Sequence, residues 1–275
     1  MTKSILITGC STGIGYVSAH ALKHKGYQVI ASCRKAEDVE KLTSEGFTCI
    51  QLDLADPESI DEAVKKTLIL TNGKLDALFN NGAYGQPGAL EDLPTHALRA
   101  QFESNFFGWH QLTTALLPTM IKQGSGRIIQ NSSVLGFAAM KYRGAYNASK
   151  FALEGWTDTL RLELIGTGVD ISLIEPGPIE TQFRANAKEA FLKWIPLKNS
   201  RHHLEYQQQL QRLENESSNN AFVLPPESCI APLLHALESK TPKIRYRVTT
   251  PTKVFSVLKR LLPTRLLDKI LRRVA

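Results

Sequence analysis

The chain has 275 residues, 43% hydrophobic and 21% charged, which is enough for a large core and too apolar for wholesale disorder. Its net charge of +7 is uneven: Lys240 to Ala275 carry eleven Lys or Arg against one acid, Asp268, so the other residues sum to −3. This argues against a globally basic nucleic-acid binder, and no run approaches the roughly 18 apolar residues of a membrane span.

The N-terminus, MTKSILITG, enters polar sequence too early for a secretory signal. Cys10, Cys33, Cys49 and Cys229 form no CxxC pair and have no His at metal spacing. The expectation is a cytoplasmic protein with reduced, mostly buried thiols and no metal.

In chain order, SILIT (4–8) is a short apolar strand, followed by a glycine-rich turn and a helix to His24. YQVIASC (27–33) reads as the second strand, KAEDVEKLTSE as a helix and FTCIQLD (47–53) as the third strand. A helix over 57–70 has Pro57 in its first turn. LDALFNN (75–81), a long helix over about 95–123, GRIIQNSS (126–133), a helix from near Tyr146 to Ile165 and VDISLIEPG (169–177) continue the alternation. Short apolar strands separated by helices predict a parallel sheet covered on both faces, the doubly wound α/β class. KIRYRVT (243–249) supplies a seventh strand.

Residues 1–250 are therefore read as one dinucleotide-binding and catalytic domain. Within it, 179–225 is rich in Gln, Asn, Glu and His and includes YQQQLQRLENESSNN. It reads as a solvated helix or, being just past the carboxyl end of a strand, as a substrate lid. Residues 251–275 form a basic amphipathic helical tail. Val254, Val257, Leu258, Leu261 and Leu262 fall on helical spacing, and so do Leu266, Leu267, Ile270, Leu271 and Val274 after Pro263. Such a stripe packs on its own domain, on a second subunit, or on an anionic membrane as a peripheral contact.

TGCSTGIG (8–15) joins the first strand to the first helix. Gly9 permits the tight turn, Gly13 lets the backbone approach a phosphate, and Gly15 allows close helix packing. The helix N-terminus favours an anion. At the end of the second strand, Arg34 and Lys35 precede any acid, which suits the 2′-phosphate of NADP(H) rather than a free ribose hydroxyl.

These motifs together resemble the short-chain dehydrogenase/reductase family, over roughly residues 3–182, and in look the retinol and 17β-hydroxysteroid dehydrogenase-like branch with its bacterial aldehyde reductase relatives. TGCSTGIG matches the family's TGxxxGxG, and Asp53 with Leu54 matches its adenine-side acid. Asn80 to Ala83 read NNGA where the family usually has NNAG. Ser133 stands thirteen positions before Tyr146, which forms YxxxK with Lys150; Pro176, Gly177 and Thr181 resemble the family's PGxxxT.

The resemblance implies a Rossmann fold and Asn105, Ser133, Tyr146 and Lys150 as catalytic residues. It implies cofactor contacts from Gly9, Ser11, Thr12, Gly13, Ile14, Gly15, Arg34, Lys35, Asp53, Leu54, Asn81, Gly82, Tyr146, Lys150, Pro176, Gly177, Ile179 and Thr181. It also implies a homodimer or homotetramer paired through the helices at 95–123 and 146–165. Tyr146 and Lys150 are i and i+4 and share a helical face; the ammonium is expected to lower the phenol pKa.

Leu135, Phe137, Met140, Tyr142 and Phe183 are the expected substrate wall, favouring an apolar carbonyl or alcohol such as a lipid aldehyde, retinoid or steroid-like compound. The reading is an NADP(H)-dependent oxidoreductase. A catalytically silent, membrane-peripheral dinucleotide-binding protein is the alternative, and the complete catalytic set argues against it.

Overall fold

The computed structural model describes residues 2–214 and 222–274; the 215–221 part of the expected lid and the final residue of the tail lie outside the described residues. Seven strands form one parallel sheet in the order β3-β2-β1-β4-β5-β6-β7. They are β1 Ser4–Ile7, β2 Gln28–Cys33, β3 Thr48–Gln51, β4 Ala77–Asn80, β5 Gly126–Asn131, β6 Val169–Glu175 and β7 Arg245–Arg247. The seven-stranded, doubly wound sheet read from the sequence is the one found.

The helices that flank it are α1 Gly13–His24, α2 Ala36–Ser44, α3 Pro57–Leu70, α4 Thr95–Phe102, α5 Gly108–Gln123, α6 Gly144–Glu163, α7 Phe183–Trp194, α8 His203–Glu214, α9 Ile230–Glu238, α10 Thr250–Leu261 and α11 Thr264–Val274. Strand side chains alternate between the sheet's two faces. Ile5 and Ile7 join Ala19 and Leu22 of α1 and Leu233 and Leu237 of α9 on one side. Leu6 joins Ile60 of α3, Leu112 and Leu116 of α5 and Leu160 of α6 on the other. Burial on both faces explains why the strands read as continuous apolar runs. Each fully buried side chain of this size contributes about 1.5–3 kcal/mol.

The chain winds outward from β1 through β2 to β3, then crosses back to β4 on β1's other side. This reversal opens a crevice beyond the carboxyl ends of β1 and β4, where ligands of open α/β sheets bind.

The sequence predicts one continuous helix over 95–123, whereas the structure opens it into a π-helical turn at Glu103–Phe107. The turn sets Asn105 facing inward, fully buried. Such widened turns concentrate at functional positions. Helix α9 was not expected; the density of apolar residues in its sequence, IAPLLHALE, leaves little polar face for periodicity to register.

The tail folds as two helices split at Pro263. Phe255 and Leu271 are buried against Val134 and Ala138, with Leu258, Leu267 and Ile270 around them. Lys259 Nζ donates to the Phe137 carbonyl at 2.5 Å. Four other positions of the stripe, Val254, Val257, Leu261 and Leu266, are exposed, and Leu262 is half-buried. The side chain of Val274, the last expected member of the stripe, lies outside the described residues.

Candidate active site

The glycine-rich turn leaves β1 with Gly9 at φ +71° and Gly13 at φ +59°, in the left-handed region that favours glycine. A Cβ on Gly9 would come within 2.6 Å of the Gly82 Cα, and one on Gly13 within 2.8 Å of Thr181 Cγ2. The turn thus lies flat against the loops after β4 and β6. Helix α1 then starts with no acid in its first turn and no side-chain cap on its amides. Its N–H groups and dipole remain available to an anion.

Two asparagines tie this turn to the centre of the sheet. Asn81 Nδ2 donates to the carbonyls of Thr8 and Gly9, at 3.0 and 3.2 Å. Its Oδ1 accepts from Asn131 Nδ2 at 2.8 Å. The Asn131 carbonyl in turn accepts from Lys150 Nζ at 2.7 Å. A chain of polar contacts therefore runs from Gly9 to the lysine of YxxxK. The Gly82–Ala83 exchange in NNGA leaves Gly82 closely apposed to Gly9, where a Cβ would sit 3.1 Å from Leu54 Cδ1.

Lys150 is 1% exposed. Its ammonium lies 4.3 Å from the Trp109 ring centroid and 5.7 Å from that of Tyr146. Trp109 is fixed by donating from Nε1 to the Gly82 carbonyl at 2.9 Å. Burial pulls the Lys150 pKa down to about 7, with Glu154 pulling the other way. Ser133 stands at the end of β5, where its Oγ accepts from the Leu135 amide at 3.1 Å.

Tyr146 behaves differently from the sequence expectation. Its pKa is raised, because burial penalises the phenolate more than hydrogen bonding from Ser133 favours it. The neighbouring lysine does not reverse this, since its own charged form is disfavoured by the same burial. The phenol is therefore held neutral in this structure.

Asn105 does not line the cleft. Its amide clamps the Tyr84 backbone, accepting from Tyr84 N at 3.1 Å and donating to Tyr84 O at 2.8 Å. It also reaches Ser149 Oγ at 3.4 Å, the residue immediately before Lys150.

A cleft of about 580 Å³ brings together most of the expected residues. Gly9, Ser11, Thr12, Gly13, Ile14, Asn81 and Gly82 line one part. Ser133, Leu135, Met140, Tyr146 and Lys150 line another, and Pro176, Gly177, Ile179, Thr181 and Phe183 close over it. The Phe183 ring packs edge-on to Tyr146, centroids 5.3 Å apart.

Gly15, Arg34, Lys35, Asp53 and Leu54 do not line this cleft. A Cβ on Gly15 would strike Asn81 Nδ2 at 2.6 Å, so its part is close packing. Arg34 is exposed at the end of β2 and Lys35 pairs with Glu37 at 3.1 Å. Asp53 Oδ1 accepts from the Ala55 amide at 2.9 Å.

Two expected substrate-wall residues are corrected. Phe137 packs under the tail helices. Tyr142 is buried in the cluster that anchors the 179–214 segment, with Ala89, Phe191, Ile195 and Tyr206. Its hydroxyl meets His202 Nδ1 at 3.1 Å. The sequence reads 179–225 as a solvated helix or a lid, but nothing in it marks Tyr142 as the residue that α7 and α8 bury. Phe191 and Trp194 likewise hold this segment to the body, Trp194 against His96.

The residues that sequence reasoning missed are Asn131, Trp109 and three arginines of the cleft, Arg143, Arg184 and Arg212. No motif marks them, since tertiary folding alone brings them in. Among the described residues no helix is long and apolar enough to cross a membrane.

Comparison with known proteins agrees with this geometry. Residues 3–191 match the sequence model of the short chain dehydrogenase family. Over 272 residues the chain is 46% identical to the uncharacterized oxidoreductase YbbO of Escherichia coli K12, covering 99% of this chain and 95% of that protein. Retinol dehydrogenase 8 of Homo sapiens is 40% identical over 191 residues, 66% of this chain and 60% of that protein. The crystal structure of a short-chain dehydrogenase from Streptomyces avermitilis matches with a TM-score of 0.78 at 28% identity, covering 100% of this chain and 98% of that one. The chain belongs to the short-chain dehydrogenase family of oxidoreductases.

Proposed function

We propose that the chain is an NADP(H)-dependent oxidoreductase that interconverts an apolar carbonyl compound and its alcohol, with Tyr146 as general acid and base. The observation that carries this reading is that Ser133, Tyr146 and Lys150 open on the same cleft as the Gly9–Gly13 turn. The residues fit a dinucleotide. The cradle at Gly9 and Gly13 has no room for a Cβ, and the uncapped α1 N-terminus suits a pyrophosphate.

Gly9, Ser11, Thr12, Gly13 and Ile14 would hold the phosphates, and Asp53 and Leu54 the adenine side. Asn81, Gly82 and Lys150, with Pro176, Gly177, Ile179 and Thr181, would hold the nicotinamide side. Arg34 is the cation for a 2′-phosphate. When bound, the dinucleotide supplies or accepts the hydride.

The chain's own residues handle the proton. Ser133 donates a hydrogen bond to the substrate oxygen and orients it. Tyr146, kept neutral by burial, is in its donor form at neutral pH and protonates that oxygen in reduction. Lys150, with its pKa near 7, gains and loses a proton in the working range and restores the phenol. Asn131 fixes the ammonium, and Asn105 and Ser149 brace the helix turn that carries it.

Leu135, Met140, Phe183, Val254 and Phe255 give the cleft apolar walls, which suit a lipid-like carbonyl. The name of retinol dehydrogenase 8, a relative acting on an apolar alcohol, fits the same class. Exposed Val257, Leu261 and Leu266, flanked by Lys253, Lys259, Arg260 and Arg265, are suited to peripheral contact with an anionic membrane from which such a substrate would come.

The test is NADPH oxidation over aldehydes and ketones of graded chain length. Turnover that rises with chain length supports the reading. No turnover of any member, with NADPH bound, refutes it.

A further inference from the structure

The proton that Lys150 passes to Tyr146 has to be replaced in every turnover, and titratable groups with no part in the cleft lie behind this lysine. Glu154 follows Lys150 by one helical turn and shares its face of α6. Glu175 ends β6, immediately before Pro176 and Gly177. The two acids are only 8% and 1% exposed.

One arginine of β7 joins them. Arg245 Nε donates to Glu154 Oε2 at 3.2 Å and pairs with Glu175 Oε1 at 3.1 Å, and its Nη2 donates to Asp158 Oδ2 at 2.7 Å. Arg247 Nε pairs with Glu175 Oε2 and Arg161 Nη2 with Asp158 Oδ1, both at 3.3 Å. Asp158 and Arg245 stand nearest water, their side chains 40% and 26% exposed. On the cleft side, the Ser132 hydroxyl stands beside Glu154. A Cβ on Gly136 would lie 2.7 Å from Ser132 Oγ and 3.0 Å from Glu154 Oε1, so glycine there lets the two approach. Ser132 lines the cleft together with Lys150.

Two neutral side chains add an independent sign of proton traffic. Thr157 lies three residues past Glu154 on α6, and Gln130 lies on the sheet face that Ile128 shares with this helix. Both are buried, and the Thr157 hydroxyl and both ends of the Gln130 amide find no partner among the described residues. Buried groups of this kind are met by internal water, which also carries protons between fixed acids.

Carboxyl groups that share a guanidinium out of water do not ionise independently. Burial, with the charge of Glu154, pushes Glu175 up to about 7. Burial also raises Glu154, with Ser132 and Arg245 acting against it. Lys150 has its own pKa near 7, so a proton can pass either way between this group of acids and the lysine.

We propose that Glu154 and Glu175 form a proton store behind the cleft that reloads Lys150, with the Ser132 hydroxyl as the link on the cleft side and Asp158 with Arg245 as the outlet to water. The use of the proton rests on the carbonyl-reductase reading. Each carbonyl reduced takes up one proton beside the hydride supplied by NADPH. That proton leaves Tyr146, is replaced from Lys150, then from the carboxyl pair, and last from water at Asp158. Neither Glu154 nor Glu175 touches the reacting atoms; both are positioning residues that act through Lys150.

The first experiment needs no turnover. Infrared difference spectra of the full, cofactor-free chain should show a buried carboxyl band that disappears as pH rises through about 7. The band should be absent in Glu175→Gln, and in Lys150→Met it should persist to higher pH, because a nearby cation has been removed. The second is the pH profile of kcat with NADPH and a long-chain aldehyde. Glu154→Gln should move the basic limb to lower pH, so that kcat falls about tenfold on that side and little on the acid side, with the KM for NADPH unchanged. Glu154→Asp should restore part of the loss. If Glu154→Gln does not fold, Ser132→Ala carries the kinetic test: cutting the link makes reloading limit turnover and should raise the solvent isotope effect on kcat.

The absence of a carboxyl band near neutral pH in wild type overturns the proposal. So does a loss in Glu154→Gln that is equal at every pH, which assigns the acid to structure alone, or an unchanged isotope effect in Ser132→Ala. If the band responds to Lys150→Met and no aldehyde is reduced, the coupled store stands and the reductase reading falls.

Discussion

Lys150 Nζ donates to the carbonyl of Asn131 at 2.7 Å, from a position almost closed to water. Burial lowers its pKa from 10.5 to about 7. The unfolded chain therefore binds this proton more readily than the folded one between those values. The resulting stability is present in full above pH 10.5 and is lost as pH falls towards 7. Replacing Lys150 with Met removes this linkage. Melting temperatures from pH 6 to 10 should show wild type gaining on Lys150→Met as pH rises; parallel curves would mean that Lys150 keeps an ordinary pKa when buried.

Tyr146→Phe keeps the ring against Phe183 and deletes only the hydroxyl. General acid–base catalysis of this kind contributes about 10²–10⁴-fold. The variant should lose that much in kcat while binding NADPH normally and melting near wild type. Difference titration of wild type against Tyr146→Phe in the near ultraviolet should show no phenolate forming around neutral pH in the cofactor-free protein, because burial raises this pKa. Ionisation near neutrality would restore the sequence-based expectation of a lysine-lowered phenol.

Gly9 combines a positive φ with backbone crowding from Gly82, so Gly9→Ala faces both strain and a clash. The expected destabilisation is about 1–3 kcal/mol, with NADPH affinity falling more than the melting temperature alone explains. Gly124 has a similar φ of +67° but open space where its Cβ would go. Gly124→Ala should show the strain and spare the cofactor. Identical effects from the two would remove the crowding argument.

What could be read in the sequence follows from how each feature is encoded. TGCSTGIG was legible because local conformation and an apolar strand both constrain it, and Gly9 and Gly13 adopt the backbone that only glycine enters easily. The strands were legible because burial on both faces makes them continuous runs. The π turn at Asn105 was not, since one widened turn leaves the apolar spacing of 95–123 nearly intact. Tyr142 was read as a substrate-wall residue because nothing local announces that Phe191 and Tyr206 arrive from α7 and α8 to bury it. Arg143, Arg184 and Arg212 were lost among many surface cations, since distant segments bring them together. The Tyr146 pKa was misjudged because spacing reports a neighbour's charge and not the burial that suppresses it.

Arg34 lies at the carboxyl end of β2, exposed, while its neighbour Lys35 is engaged by Glu37. If its guanidinium holds the 2′-phosphate, Arg34→Ala should raise the KM for NADPH by about tenfold or more, as expected for a charge-assisted bond, and leave that for NADH nearly unchanged. Lys35→Ala should have a much smaller effect. A parallel rise for both cofactors would show that Arg34 shapes the turn and does not select the phosphate.

Phe107 and Phe151 are 49% and 39% exposed on the π turn and α6. They lie on the helices proposed for subunit pairing, which Trp156 joins by donating from Nε1 to His110 Nδ1 at 3.2 Å. Ile121 and Leu162 are also exposed on these helices. Large apolar groups on adjoining helices are more readily kept where a partner covers them. Pairing by a two-fold axis would bring each patch against its copy, so one charge introduces two like charges at the seam. Phe151→Glu should therefore move the protein to single-chain mass in light scattering after gel filtration, with the melting temperature falling and becoming independent of concentration. Phe151→Leu should stay associated. Wild type at single-chain mass over the whole accessible concentration range would remove the pairing surface and leave these residues as ordinary exposed apolar groups.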